Sequence, residues 1–149
     1  MREKAMRAAI EQARQAASSG ELPFGAVVVD PAGEVVAAAF DRVGASGDRT
    51  RHAELLAVQA AAITYGPELA GCALVSTCEP CAMCFAAAWT ANLSAIEFGL
   101  PMARLRAVYP AAMDEVVIDR LELNSLAQRR LEITSGTLEA ECWELWRRP

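Results

Sequence analysis

Thr77-Cys78-Glu79-Pro80-Cys81-Ala82-Met83-Cys84, read together with the earlier triplet His52-Ala53-Glu54, decides what this 149-residue chain is built around. His52 is its single histidine, and Cys81 follows 29 residues later. Zinc held for catalysis takes three protein ligands and leaves the fourth tetrahedral position to water, whereas a structural zinc is closed by four Cys or His side chains. His52, Cys81 and Cys84 count to three. A Cys-x-x-Cys pair suits a turn running into a helix, where two thiolates converge on one metal, and Pro80 reads as a first-turn proline whose missing N–H costs no intrahelical bond. The positive end of that helix and the metal both favour the thiolate form.

Glu54 is read as unspent by the metal, because residues two apart on a helix point in different directions. A carboxylate beside the open position can carry protons once zinc has lowered the pKa of a water from about 15.7 to roughly 7. Cys78 adds a second overlapping pair, Cys78-x-x-Cys81, which spacing alone does not exclude. Cys72 and Cys142 are assigned to the core.

Working outward, residues 2 to 19 are rich in alanine and charge and predict a helix ended by Ser18-Ser19-Gly20. Residues 26 to 30 and 34 to 40 are apolar, β-branched runs around Asp30-Pro31-Ala32-Gly33, which predicts a hairpin. Gly44 to Asp48 reads as a loop before a helix carrying His52 and Glu54 and stopping before Gly66-Pro67. Strands are predicted at 73 to 77 and 95 to 99, on either side of the helix of the metal cysteines. Such alternation implies a partly parallel sheet with helices covering it, both metal helices on one face and the zinc between their N-termini. Residues 100 to 130 are the least readable: Pro101 and Pro110 oppose one continuous helix, and Leu121-Glu122-Leu123 fits a short helix or a loop.

Length and a 54% hydrophobic content predict one domain, residues 1–149, with a substantial core. The mixed charges of Met1-Arg2-Glu3-Lys4-Ala5 read as neither signal peptide nor membrane span. Five cysteines, an odd number with three clustered, fit a reducing, cytoplasmic setting better than a disulfide framework. The net charge of −5 leans against a nucleic-acid substrate, since such binders carry a basic footprint. Arg104 with Arg106, Arg129 with Arg130, and Arg147 with Arg148 could form a local basic patch or stand as separate solvated side chains.

These residues resemble the zinc-dependent cytidine deaminase-like superfamily, whose signature pairs His-x-Glu with Pro-Cys-x-x-Cys. Pro23 to Val29 resembles the family's first strand. Thr77 to Cys84 resembles the metal loop of its guanine deaminase and tRNA adenosine deaminase branch, and Arg130 to Gly136 with Glu139 to Cys142 is similar to the closing strand and helix of the tRNA enzymes. The resemblance implies a three-layer α/β/α fold around a mixed sheet of about five strands. It assigns His52, Cys81 and Cys84 as ligands of one Zn2+ and Glu54 as the catalytic acid/base. It also implies a homodimer and hydrolytic deamination of a small amino-heterocycle, nucleobase or nucleoside, guanine-like first. Adenosine deamination in tRNA is the alternative, and a zinc-stapled non-catalytic module using Cys78 as a fourth ligand the third reading.

Two departures bear on the substrate. Leu100-Pro101-Met102-Ala103-Arg104-Leu105 stands where the tRNA enzymes carry a polar, glycine-rich segment. Asp41 stands where the family usually has a substrate-contacting asparagine; ionised aspartate only accepts hydrogen bonds, so in the pocket it would select a donor-rich ligand, and in solvent it merely ends a strand. Family likeness also nominates Phe24 and Trp89 to enclose the base, either of which could equally be a core aromatic, and backbone groups near Ala26, Ala53 and Glu79 for polar contacts. The C-terminal Trp143 and Trp146, at i, i+3 spacing on one helix face, read as packing residues.

Overall fold

The computed structural model describes residues 2–113 and 115–147. The chain opens with α1 (Arg2–Ser18), continues into the hairpin β1 (Gly25–Val29) and β2 (Val35–Phe40), and crosses the short α2 (Val43–Ser46) to reach α3 (Ala53–Thr64). Next come β3 (Ala73–Cys78), α4 (Ala82–Thr90), β4 (Ala95–Leu100), α5 (Met102–Val108), a 3-10 turn at Pro110–Ala112, α6 (Arg120–Ser125), β5 (Glu132–Ser135) and α7 (Glu139–Glu144). One five-stranded sheet runs in the order β2-β1-β3-β4-β5. Strand β1 is antiparallel to both its neighbours, while β3, β4 and β5 are parallel. Among the described residues, no helix is long and apolar enough to cross a membrane.

Alternation along the strands sorts the core into two layers, as period-two side chains require. Val27, Val29 and Val75 face α1, α5 and α7, whereas Ala26, Val28, Leu74, Ile96 and Phe98 face α3 and α4. Strand β1 is buried throughout because both faces are covered, so it reads as an unbroken apolar run. Helix α1 presents Ala5, Met6, Ala9, Ile10, Ala13 and Ala16 to the sheet at helical spacing. It ends as the sequence predicts, with Gly20 at φ +83° and the Glu21 N–H returning to the Ala16 carbonyl at 2.9 Å. The hairpin turn is closed by Asp30 Oδ1, which accepts the N–H groups of Ala32 and Glu34, each at 2.9 Å.

Three local expectations shift. Residues 43–46, read as loop, form the single turn α2, stabilised by Glu21, whose carboxylate accepts the Gly44 and Ala45 N–H groups at 2.7 Å each. His52 and Cys81 are not helical; each is the extended residue immediately before its helix. Pro80 therefore precedes the cap instead of occupying the first turn. In the stretch that resisted reading, Pro101 starts α5, Pro110 starts the 3-10 turn, and Leu121-Glu122-Leu123 is helical.

The small residues of α1 let it lie against β1 so closely that a Cβ on Gly25 would collide with the Ala9 carbonyl and the Ala13 amide, both backbone atoms that cannot yield cheaply. Gly25→Ala is expected to lower stability by roughly 1–3 kcal/mol, the usual cost of overpacking a filled core, read as a fall in the urea unfolding midpoint.

Candidate metal centre and active site

Two helix starts build the centre. Strand β3 delivers the chain to Cys78, and Ser76 Oγ ties the turn by donating to the Cys78 carbonyl at 2.7 Å. Glu79 then braces the loop against the exit of β4: its N–H donates to the Leu100 carbonyl at 2.9 Å and its Oε1 accepts the Met102 N–H at 2.9 Å. Cys81 caps α4 and Cys84 is its third residue, positions whose side chains meet across the first turn. His52 caps α3, which packs on the same face of the sheet as α4. The imidazole Nδ1 consequently lies 3.5 Å from Cys81 Sγ and 3.7 Å from Cys84 Sγ.

These separations suit a tetrahedral ion. With arms of about 2.3 Å to sulfur and about 2.0–2.1 Å to nitrogen, nitrogen and sulfur stand about 3.5–3.6 Å apart. All three ligand atoms lie within 4.8 Å of one another, and no other cluster of this kind occurs among the described residues. The electrostatics favour one thiolate, Cys81, beside protons kept on Cys84 and His52 that a bound ion would displace. The Cys81 thiol is held down to about 4 by the hydrogen bond from Cys84, with His52 adding to the effect against the opposing pull of burial. His52 is pushed up to about 9, first by its hydrogen bond with Cys81. Cys78 is buried, its thiol pushed well up by desolvation, and it stands outside the cluster. The residues present fit one zinc held by two sulfurs and one nitrogen, with the fourth position open.

His52 and Cys81 line a cavity of about 510 Å³, a size suited to a small organic ligand. Glu54, Glu21, Asp41, Glu79 and Glu115 all line it, against a single arginine among the described residues, Arg49. Burial pushes the Glu54 carboxyl up to about 7, with the charge of Cys81 adding and that of His52 opposing. A carboxyl in that range can give and take protons near neutrality. Asp41 is 5% exposed, its Oδ1 accepts the Val43 N–H at 2.9 Å, and burial raises its pKa. Phe24 lines the cavity from the end of the loop before β1, with its ring against the edge of Trp146 at 5.2 Å.

The family described as "Cytidine and deoxycytidylate deaminase zinc-binding region" matches residues 1–100. The chain belongs to this family. A tRNA-specific adenosine deaminase from Haemophilus influenzae is 33% identical over 141 residues, covering 94% of this chain and 78% of that one. A tRNA(Ile)-lysidine synthase from Deinococcus deserti is 45% identical over 96 residues, covering 64% of this chain, which spans only 18% of that synthase. Among solved structures, a guanine deaminase from Nitrosomonas europaea superposes with a TM-score of 0.83 at 27% identity, covering 97% of this chain and 82% of that one.

Within this deaminase-family fold, Ala53, Glu79, Asp41 and Phe24 join Glu54 at the cavity, but two other nominated residues do not. Ala26 lies mid-strand, its register shared with Ala39 and Ser76, so its backbone belongs to the sheet. Trp89 points to the far end of α4, where its Nε1 donates to the Arg129 carbonyl at 2.7 Å and the Arg129 guanidinium lies over its ring at 5.3 Å. These contacts fasten the chain before β5 to α4. Trp146 packs as expected, on Phe24 and on Tyr109, whose hydroxyl donates to the Trp146 carbonyl at 2.8 Å.

The arginine pairs do not assemble a basic patch. Arg104 pairs with Glu139 at 2.8 Å, Arg106 with Glu115 at 3.2 Å, and Arg147 with Glu144 at 2.8 Å, while Arg129 and Arg130 donate to backbone carbonyls; Arg148 lies outside the described residues. Sequence reading missed Glu21, Glu115 and Arg120 as parts of the site. Glu115 and Arg120 sit in the unreadable stretch, and the signal was a charged residue on either side of the apolar run Val116-Val117-Ile118.

Cys81→Ala and Cys84→Ala are each expected to drop zinc content from about one per chain to near zero, and Cys78→Ala to leave it unchanged. Metal analysis of the purified variants, with X-ray absorption counting two sulfurs per zinc, checks the assignment.

Proposed function

We propose that this chain, acting as one domain, is a zinc-dependent hydrolytic deaminase that exchanges the exocyclic amine of a small amino-heterocycle, guanine-like first, for a carbonyl oxygen, with release of ammonia. The observation that carries the reading is a three-ligand cluster opening onto a cavity that also contains Glu54. His52, Cys81 and Cys84 would hold the zinc, whose Lewis acidity makes a water's proton labile near neutral pH.

Glu54 is the proton carrier. It accepts a proton from the attacking water, delivers it to the ring nitrogen next to the amine-bearing carbon, and carries the second proton to the departing amine. The carbon gains one oxygen and loses one nitrogen, so heterocycle and water balance against carbonyl product and ammonia. Phe24 supplies an apolar wall for a flat ring, and Asp41, Ala53 and Glu79 supply the polar contacts around it. Asp41 replaces an amide by an acceptor-only group, which favours ligands presenting N–H or O–H at that edge. The predominance of carboxylates in the cavity supports an unphosphorylated substrate.

The likeness over 94% of this chain to a tRNA-specific adenosine deaminase supports a second reading, deamination of adenosine in RNA. We place it second because Arg104, Arg106 and Arg129, candidates for a basic patch, are engaged within the fold. The setting we propose is a homodimer in a reducing cytoplasm. All five cysteines are free and buried, and the outer face of α4 carries the small Ala86 and Ala87, over which a second copy could pack closely.

Zinc-loaded protein incubated with free bases, nucleosides, pterins, triazines and an anticodon stem-loop should release ammonia from one small heterocycle. Glu54→Ala should retain zinc and lose activity by about 100-fold or more. Near-native turnover in that variant would sink the scheme, and release from RNA alone, weakening steeply with salt, would establish the second reading. Asp41→Asn should reorder the substrate panel toward ligands with an acceptor at the contacted edge; an unchanged ranking would remove Asp41 from recognition.

A further inference from the structure

The segment between β4 and β5 grips α4 at both ends. At the far end, Arg129 donates to the Leu93 carbonyl at 2.8 Å and to the Trp89 carbonyl at 2.7 Å. At the near end stands Arg120, the first residue of α6, whose side chain is 3% exposed. Its Nη1 donates to the Pro80 carbonyl at 2.9 Å, the peptide oxygen immediately before the ligand Cys81. Asp119 aims it there by capping α6, its side chain accepting the Leu121 N–H at 2.7 Å. Asn124 anchors the same helix by exchanging hydrogen bonds with both backbone groups of Leu131.

The other arms of the guanidinium are poorly matched. Nε lies 3.6 Å from Glu79 Oε2 and Nη2 lies 3.8 Å from Glu115 Oε1, and neither Nε nor Glu115 Oε1 has a hydrogen-bond partner among the described residues. Burying an arginine is costly, and ion pairs of such loose geometry do not offset it; an apolar side chain of similar volume is often as stable in such a place or more so. Stability therefore gives no account of Arg120. The one well-formed bond it makes among the described residues, to the backbone of the metal loop, does.

We propose that Arg120 is a positioning residue for the metal centre, holding the Pro80-Cys81 peptide so that Cys81 Sγ and Cys84 Sγ meet His52 at ligand distance. Glu79 and Glu115, on the cavity wall, supply the opposite charge that keeps the guanidinium in place. The proposal rests on the reading of His52, Cys81 and Cys84 as zinc ligands and not on the identity of the heterocycle.

Zinc transfer from the loaded full-length chain to a chromophoric chelator separates this role from a merely structural one. Arg120→Met is expected to release zinc about 10- to 100-fold faster than the wild type while unfolding at an equal or higher urea concentration. Arg120→Lys, which keeps the charge but lacks the rigid fork, should fall between the two. Arg129→Met, which loses two hydrogen bonds at the far end of α4, should unfold earlier yet release zinc at the wild-type rate. A folded Arg120→Met or Arg120→Lys protein with wild-type release overturns the proposal, as does Arg129→Met releasing zinc as fast as Arg120→Met. If both Arg120 variants fail to fold, Arg120 is a stability residue and the proposal falls. A wild-type chain that retains no zinc removes it along with the ligand assignment, whereas zinc retention without ammonia release defeats only the proposed activity.

Discussion

His52 Nδ1 stands 3.5 Å and 3.7 Å from two sulfurs that belong to another helix, and this approach needs both helices to begin at the same edge of the sheet. Strand β1 makes that possible. Lying between β2 and β3 and antiparallel to both, it lets the hairpin return the chain toward the site so that α3 starts beside the end of β3, where the metal loop begins. A Gly25 N–H bond to Thr77 Oγ1 at 3.2 Å joins the two strands at that point. The tight seat of α1 on β1 therefore bears on the geometry of the centre as well as on the core.

Among the described residues, five carboxylates share one cavity, an arrangement that burial and mutual repulsion both oppose. The fold answers each of three differently. Glu21 spends both oxygens on the N–H groups of α2, Glu79 braces the metal loop, and Glu115 pairs with Arg106. Glu54 meets its own N–H and the Cys84 thiol, and burial, the largest influence on it, raises its pKa. The distinction lies in what each carboxylate joins: Glu21, Glu79 and Glu115 tie separate stretches of chain together, whereas Glu54 sits among the proposed ligands.

Much of this was legible in the sequence because the residues concerned act locally. A three-ligand set, a hairpin turn at Asp30 to Gly33, a helix stop at Gly20 and the alternating elements all leave short-range marks, and the sheet, both layers and the common face of α3 and α4 follow from them. His52 and Cys81 were placed inside their helices and not at the cap, because their extended backbone is set by the strand and loop before them. Trp89 was drawn toward the pocket by likeness, yet nothing in its neighbours could reveal that Arg129, 40 residues away, would claim its indole. Arg120 was invisible for the same reason: its partner, the Pro80 carbonyl, is also 40 residues distant and carries no side-chain signal.

Phe24, on the cavity wall, packs against Trp146, joining an early and a late stretch of the sequence. During synthesis the last proposed ligand, Cys84, leaves the ribosome about 60 residues ahead of Trp146, which at roughly 5–20 residues per second is an interval of seconds. In that interval the proposed ligands are present while Phe24 lacks its aromatic support. The order of the sequence thus lets the two helix starts meet before the aromatic packing on Phe24 is complete.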